Sequence, residues 1–85
     1  MNYRLSTHAR QEMERRGIPL PWVEAVLENP DQIKSERGAL KAYQSKRDIG
    51  GKMYLVRVIV DDGANPALVV IVYRTTEIEK YWNKP

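Results

Sequence analysis

Apolar residues recur at four-residue spacing at Leu5, Ala9 and Met13, which places them on one face of a helix. Ser6 or Thr7 supplies a hydroxyl that can accept an unpaired amide of the first turn. Gly17 ends the pattern, because glycine takes the left-handed conformation that stops a helix at little cost. A helix is therefore predicted over residues 6–16. Ile18-Pro19-Leu20-Pro21 reads as a rigid connector, with proline tolerated in a first turn whose N–H has no partner. Trp22, Val23, Ala25, Val26 and Leu27 then form the apolar face of a second helix over 20–29, closed by Asn29-Pro30-Asp31. The two helices are expected to make a hairpin.

From residue 32 onward the period shortens to two, the signature of strands. Strands are predicted at 32–36, 40–46, 53–61 and 67–74. In the third of these, Tyr54, Val56, Val58 and Val60 alternate with Met53, Leu55, Arg57 and Ile59, so the two sets face opposite ways. Asp61 to Pro66 is a turn cluster. Leu68 to Tyr73 is almost wholly apolar and reads as a central strand buried on both faces. The tail, 75–85, carries Ile78, Tyr81 and Trp82 among charges and is expected to fold back. Helices followed by strands predict an α+β fold. Two helices would pack on one face of an antiparallel sheet of three to five strands. Arg57, inside an apolar strand, lies either on the open face of that sheet or in a site.

Composition narrows the chemistry. The 85 residues allow one domain with a thin core, 42% of them are apolar, and phenylalanine is absent. The lack of cysteine excludes disulfides, thiolate metal sites and a cysteine nucleophile, and fits a reducing cytosol. No membrane span or secretory leader is visible, so a cytoplasmic protein is expected. One histidine makes a zinc site a poor expectation. No glycine-rich nucleotide loop, calcium loop or Ser-His-acid constellation stands out. Neither a metal nor a cofactor is expected.

The net charge of +3 permits an anionic partner. Lys34, Arg37, Lys41, Lys46, Arg47, Lys52 and Arg57 outnumber Glu36 and Asp48 over the middle strands. Such a stretch reads as an RNA track, or as charge that protects strand edges from aggregation. His8 is the only histidine, the residue type suited to acid–base work near neutrality, and Glu12 follows it by one turn, with Arg15 on the same side. Together they could divide proton transfer and charge stabilisation in phosphodiester chemistry, or simply form a helix start and a solvated face. Tyr73-Arg74-Thr75-Thr76 closes the last strand with groups suited to phosphate and bases. Tyr43 and Lys80-Tyr81-Trp82 set aromatic rings beside cations, as in single-strand binders, although Trp22 and Trp82 are favoured as core.

Three helix motifs carry a resemblance: Ser6-x-His8-Ala9, Met13-x-x-Arg16-Gly17-Ile18 and Val23-x-x-Val26-Leu27-x-x-Pro30. With Tyr73-Arg74-Thr75 and Lys80-Tyr81, they resemble a family of small bacterial and phage proteins known as a domain of unknown function. That family is similar to the RelE and BrnT toxins of the barnase–EndoU–colicin–RelE group. The resemblance implies N-terminal helices on a four- or five-stranded antiparallel sheet. It implies metal-free RNA cleavage through attack of the ribose 2′-hydroxyl, and a small antitoxin partner. It transfers the catalytic roles to His8, Arg16 and Arg74, with Thr75, Lys80 and Tyr81 as supporting residues. Glu12 stands where the family often has arginine, so a possible base replaces a cation.

The leading expectation is a toxin-like endoribonuclease acting on RNA, including ribosome-associated mRNA. His8, Glu12, Arg16 and Arg74 would be catalytic, and Arg57, Tyr43, Tyr73, Thr75, Lys80 and Tyr81 would bind substrate. The alternative is a non-catalytic module of the same fold that binds RNA or protein.

Overall fold

The computed structural model describes residues 1–84; Pro85, the last residue of the predicted tail, lies outside them. The chain runs β1 (Tyr3–Leu5), α1 (Thr7–Arg16), α2 (Leu20–Glu28), β2 (Gln32–Ser35), β3 (Lys41–Ile49), β4 (Lys52–Asp61), β5 (Ala67–Thr75) and α3 (Ile78–Tyr81). The strands form one sheet in the order β1-β5-β4-β3-β2.

Two features correct the expected architecture. A strand precedes the first helix, and it pairs in parallel with β5, Tyr3 opposite Ala67. The sheet is therefore mixed, with the remaining pairs antiparallel. Three residues are too few to show a period, so only the backbone of β5 reveals β1. The doubly buried central strand is β4, where Leu55 to Val60 are all buried, whereas Leu68, Val70 and Ile71 of β5 are half-buried. Strand order decides this: β1 ends beside Val69, which leaves the rest of β5 without an outer strand.

One buried cluster joins Ala9, Met13, Val23, Val26 and Leu27 of the helices to Tyr43, Val56, Val58, Val60, Val69 and Val72 of the strands. The alternate residues of β4, Leu55, Arg57 and Ile59, are buried but lie outside that cluster. They point to the opposite face, as a period of two requires. Ser6 links α1 to the sheet. Its Oγ accepts from the Ala9 amide at 2.9 Å and donates to the Val70 carbonyl at 3.1 Å. The helix thus starts in register with β5 and runs along it. It stops at Gly17, φ +63°, whose N–H bonds back to Glu14 and Met13.

The tail covers the second face. Gln44 and Lys34 donate to the Tyr81 carbonyl at 3.1 and 3.2 Å. Gln32 exchanges two bonds with the backbone of Asn83. No helix among the described residues is long and apolar enough to cross a membrane.

Candidate functional site

The last turn of α1 and the end of β5 meet because α1 follows that strand. Between them opens a cleft of about 430 Å³, lined by Arg15, Arg16, Tyr54, Arg74, Thr75 and Thr76. Each side chain arrives for a local reason. Arg15 and Arg16 occupy the final helical turn, where the exposed carbonyls favour cations. Arg74 is opposite Val56 across the β4–β5 pair, so it points to the same side as Tyr54, two residues before Val56. Its guanidinium carbon lies 5.0 Å from the Tyr54 ring centroid, a cation–π contact.

Glu12 holds the two helix arginines in place. Its carboxylate accepts from Arg15 Nε and Nη2 at 2.9 and 2.8 Å, and from Arg16 Nε at 3.3 Å. The bond from Arg15 is the main reason its pKa falls from 4.5 to about 2. Glu12 is thus an ionised anchor at neutral pH and a weak proton acceptor. Arg74 has no ion pair among the described residues, so its charge is open to an anion.

Of the residues expected to act together, Arg16, Arg74 and Thr75 share the cleft, with Glu12 tied to Arg16. His8 does not reach it. His8 is exposed on the first turn of α1, and eight residues at 1.5 Å rise set it about 12 Å from Arg16 along the axis. Its expected partner Glu12 faces the arginines instead, since the side chain bends toward the C-terminal turn.

The expected substrate-binding residues divide between two environments. Tyr43 is a core residue on the helix side, and its hydroxyl reaches Asp62 at 3.4 Å. Burial is the first cause of its raised phenol pKa. Arg57 is 2% exposed, which removes it from direct contact with solvent or substrate. It lies in a cross-strand row with Gln44 and Tyr73. Its Nε donates to Gln44 Oε1 at 2.8 Å, its other nitrogens donate to Tyr73 and Glu36, and the Tyr81 ring covers it at 4.3 Å. Tyr73 and Tyr81 meet edge to face, 6.1 Å apart. Burial also raises the Tyr73 phenol. Lys80 is exposed beside Tyr81.

The cations of the middle strands do not form one track. Lys41 and Arg47 sit opposite Val60 and Tyr54, on the helix side. Lys34 and Lys46 lie on the tail side, with Lys46 Nζ 4.1 Å from the Trp82 ring. Alternation along β3 separates neighbouring cations onto opposite faces. Arg15 and Thr76 were expected only as members of wider groups, around His8 and at the end of the last strand, and Tyr54 was not among the expected site residues. The sequence signal of Tyr54 was weak, because its link to Arg74 depends on the β4–β5 register.

Fold and cleft together define a small α+β domain in which α1 and the mixed five-stranded sheet bring three guanidiniums to one cleft. The chain belongs to the family described as Domain of unknown function (DUF4258), whose model matches residues 5–77. The matched segment contains every residue of the cleft and stops just before α3. No curated protein and no solved structure matches the chain.

Proposed function

We propose that this protein is a toxin-like endoribonuclease with a RelE-like arrangement, and that the cleft between α1 and β5 holds the scissile phosphate of RNA. The observation that carries this reading is the convergence of Arg15, Arg16 and Arg74 with the hydroxyls of Tyr54, Thr75 and Thr76. Guanidinium forks match phosphate oxygens in pairs, and fixed cations stabilise the charge that grows on a pentavalent phosphorus. The ribose 2′-oxygen attacks phosphorus and the P–O5′ bond breaks. The 2′ proton passes to solvent and the 5′-oxygen takes one from solvent. The products are a 2′,3′-cyclic phosphate and a 5′-hydroxyl. Arg16 and Arg74 grip the phosphate, Arg15 adds charge at the rim, and Glu12 fixes the two helix arginines. Neither His8 nor Arg57 takes part directly. A small antitoxin that covers the cleft is the partner this reading implies, in the cytoplasm.

A second reading, a non-catalytic RNA-binding module, is favoured by the low pKa of Glu12, about 2, and the distance of His8. These leave the cleft without an acid or base tuned near neutrality. An RNA-cleavage assay in EDTA separates the two. Under the nuclease reading, cyclic phosphate ends form, and Arg16→Ala or Arg74→Ala lowers the rate by about a hundredfold. His8→Ala stays within about twofold of wild type. If neither free RNA nor ribosome-bound mRNA is cut, the binding module replaces the nuclease. If RNA is not bound either, both readings fall.

A further inference from the structure

A second hollow lies on the same side of the sheet as the cleft. It measures about 230 Å³ and runs from the end of α2 to β3, with Val26, Asn29, Asp31, Ser45, Arg47 and Val56 on its walls. Arg47 belongs to it and stands directly across from Tyr54, which belongs to the cleft. Its guanidinium carbon is 4.5 Å from the Trp22 ring centroid. A row therefore crosses the sheet from one helix to the other: Trp22 of α2, Arg47, Tyr54 and Arg74 of the strands, and Arg16 of α1. Aromatic rings and cations alternate along most of it. Arg47, like Arg74, has no ion pair among the described residues. The acid of this hollow, Asp31, is already engaged by the Lys46 amide at 2.9 Å.

We infer that this row is an extended single-stranded RNA site, with Trp22 and Arg47 forming a second subsite for nucleotides next to the scissile phosphate. The inference rests on the RNA reading of the cleft and names the form of its substrate. Arg47 and Arg74 are two strand spacings apart, about 10 Å across, and two residues apart along the strands, about 7 Å. The span is roughly 12 Å, enough for about two to four nucleotides at 3.4 Å or more each. Cations on that spacing meet phosphates about two to four nucleotides apart on one strand. The rings, and the guanidinium planes resting on them, offer stacking surfaces to bases that are not already paired. A duplex hides those base faces, so the row selects single strands.

The test is fluorescence anisotropy of the full chain with labelled 2′-O-methyl oligouridines, which cannot undergo 2′ attack. A dinucleotide fills the cleft alone, and an octanucleotide reaches both subsites. Arg47→Gln is expected to weaken the octanucleotide about fivefold or more and to leave the dinucleotide within about twofold. It should also flatten the log–log salt dependence by about 0.7, the loss of one phosphate contact to a single strand. Trp22→Phe keeps a ring and the packing of α2, and should bind within about twofold of wild type. Trp22→Leu should lose about fivefold, with thermal melts showing that both variants fold.

Weakening by Arg74→Gln but not by Arg47→Gln or Trp22→Leu would overturn the second subsite and leave the cleft standing. No binding by the wild-type chain would overturn the RNA reading itself. Equal competition by duplex RNA would overturn the single-strand assignment.

Discussion

Replacing Glu36 by alanine removes the only carboxylate, among the described residues, bonded to the buried Arg57 guanidinium. Arg57 is 2% exposed, and Gln44, which accepts from its Nε, is fully buried. Severing a fully buried ion pair costs about 3–5 kcal/mol, because the remaining charge has neither partner nor water. The Glu36 side chain is 29% exposed and Arg57 only 3%, so solvent already screens part of the attraction. A loss of about 2 kcal/mol is expected on that basis. For a domain of this size each kcal/mol moves Tm by about 4–8 °C, so Glu36→Ala should melt about 8–16 °C lower. Circular dichroism melts at neutral pH measure this directly. Glu36→Gln keeps an acceptor for Arg57 and should recover part of the loss. A cycle with Arg57→Met isolates the pair, and a coupling of at least about 1 kcal/mol is expected. A Glu36→Ala melt within about 3 °C of wild type, or a coupling near zero, would refute the reasoning. Arg57 would then have water available, and the tail would not seal the second face.

Three further outcomes follow from local geometry. Ser6→Ala removes both the cap of α1 and its bond to β5, and should cost about 1–2 kcal/mol in urea unfolding with an unchanged slope. Gly17→Ala places a side chain at φ +63° where its Cβ would meet nothing within 4 Å, so the cost is conformational alone, about 1–2 kcal/mol by the same measurement. Glu12 has a folded pKa near 2 against an ordinary 4.5, so its contribution is present above the higher value and fades as pH falls toward the lower. The Tm gap between wild type and Glu12→Gln should close across that window; a gap that persists down to pH about 2 would show that Glu12 does not hold the arginines through its charge.

How much was legible in the chain depends on how local the cause was. The stop at Gly17 and the connector before α2 are written in glycine and proline, whose backbone preferences act within one or two residues. The period-two pattern of β4 marked Arg57 as facing away from Val56 and Val58 before any partner was known. Arg16, Arg74 and Thr75 were picked out individually, yet nothing local shows that they meet.

The sequence by itself determined the two N-terminal helices, the long strands and the two faces of β4, because periodicity and turn chemistry are short-range. It also determined the excess of cations and the absence of cysteine chemistry. Tertiary structure alone decided three things. A three-residue strand found its place because β5 had an open edge. Arg57 became a buried anchor because the tail folded over it. Arg16, Tyr54 and Arg74 came to share one cleft because α1 runs along β5 and the β4–β5 register sets Arg74 beside Val56. Each depends on the register of segments far apart in the chain, and pairwise register has no signature in a single sequence.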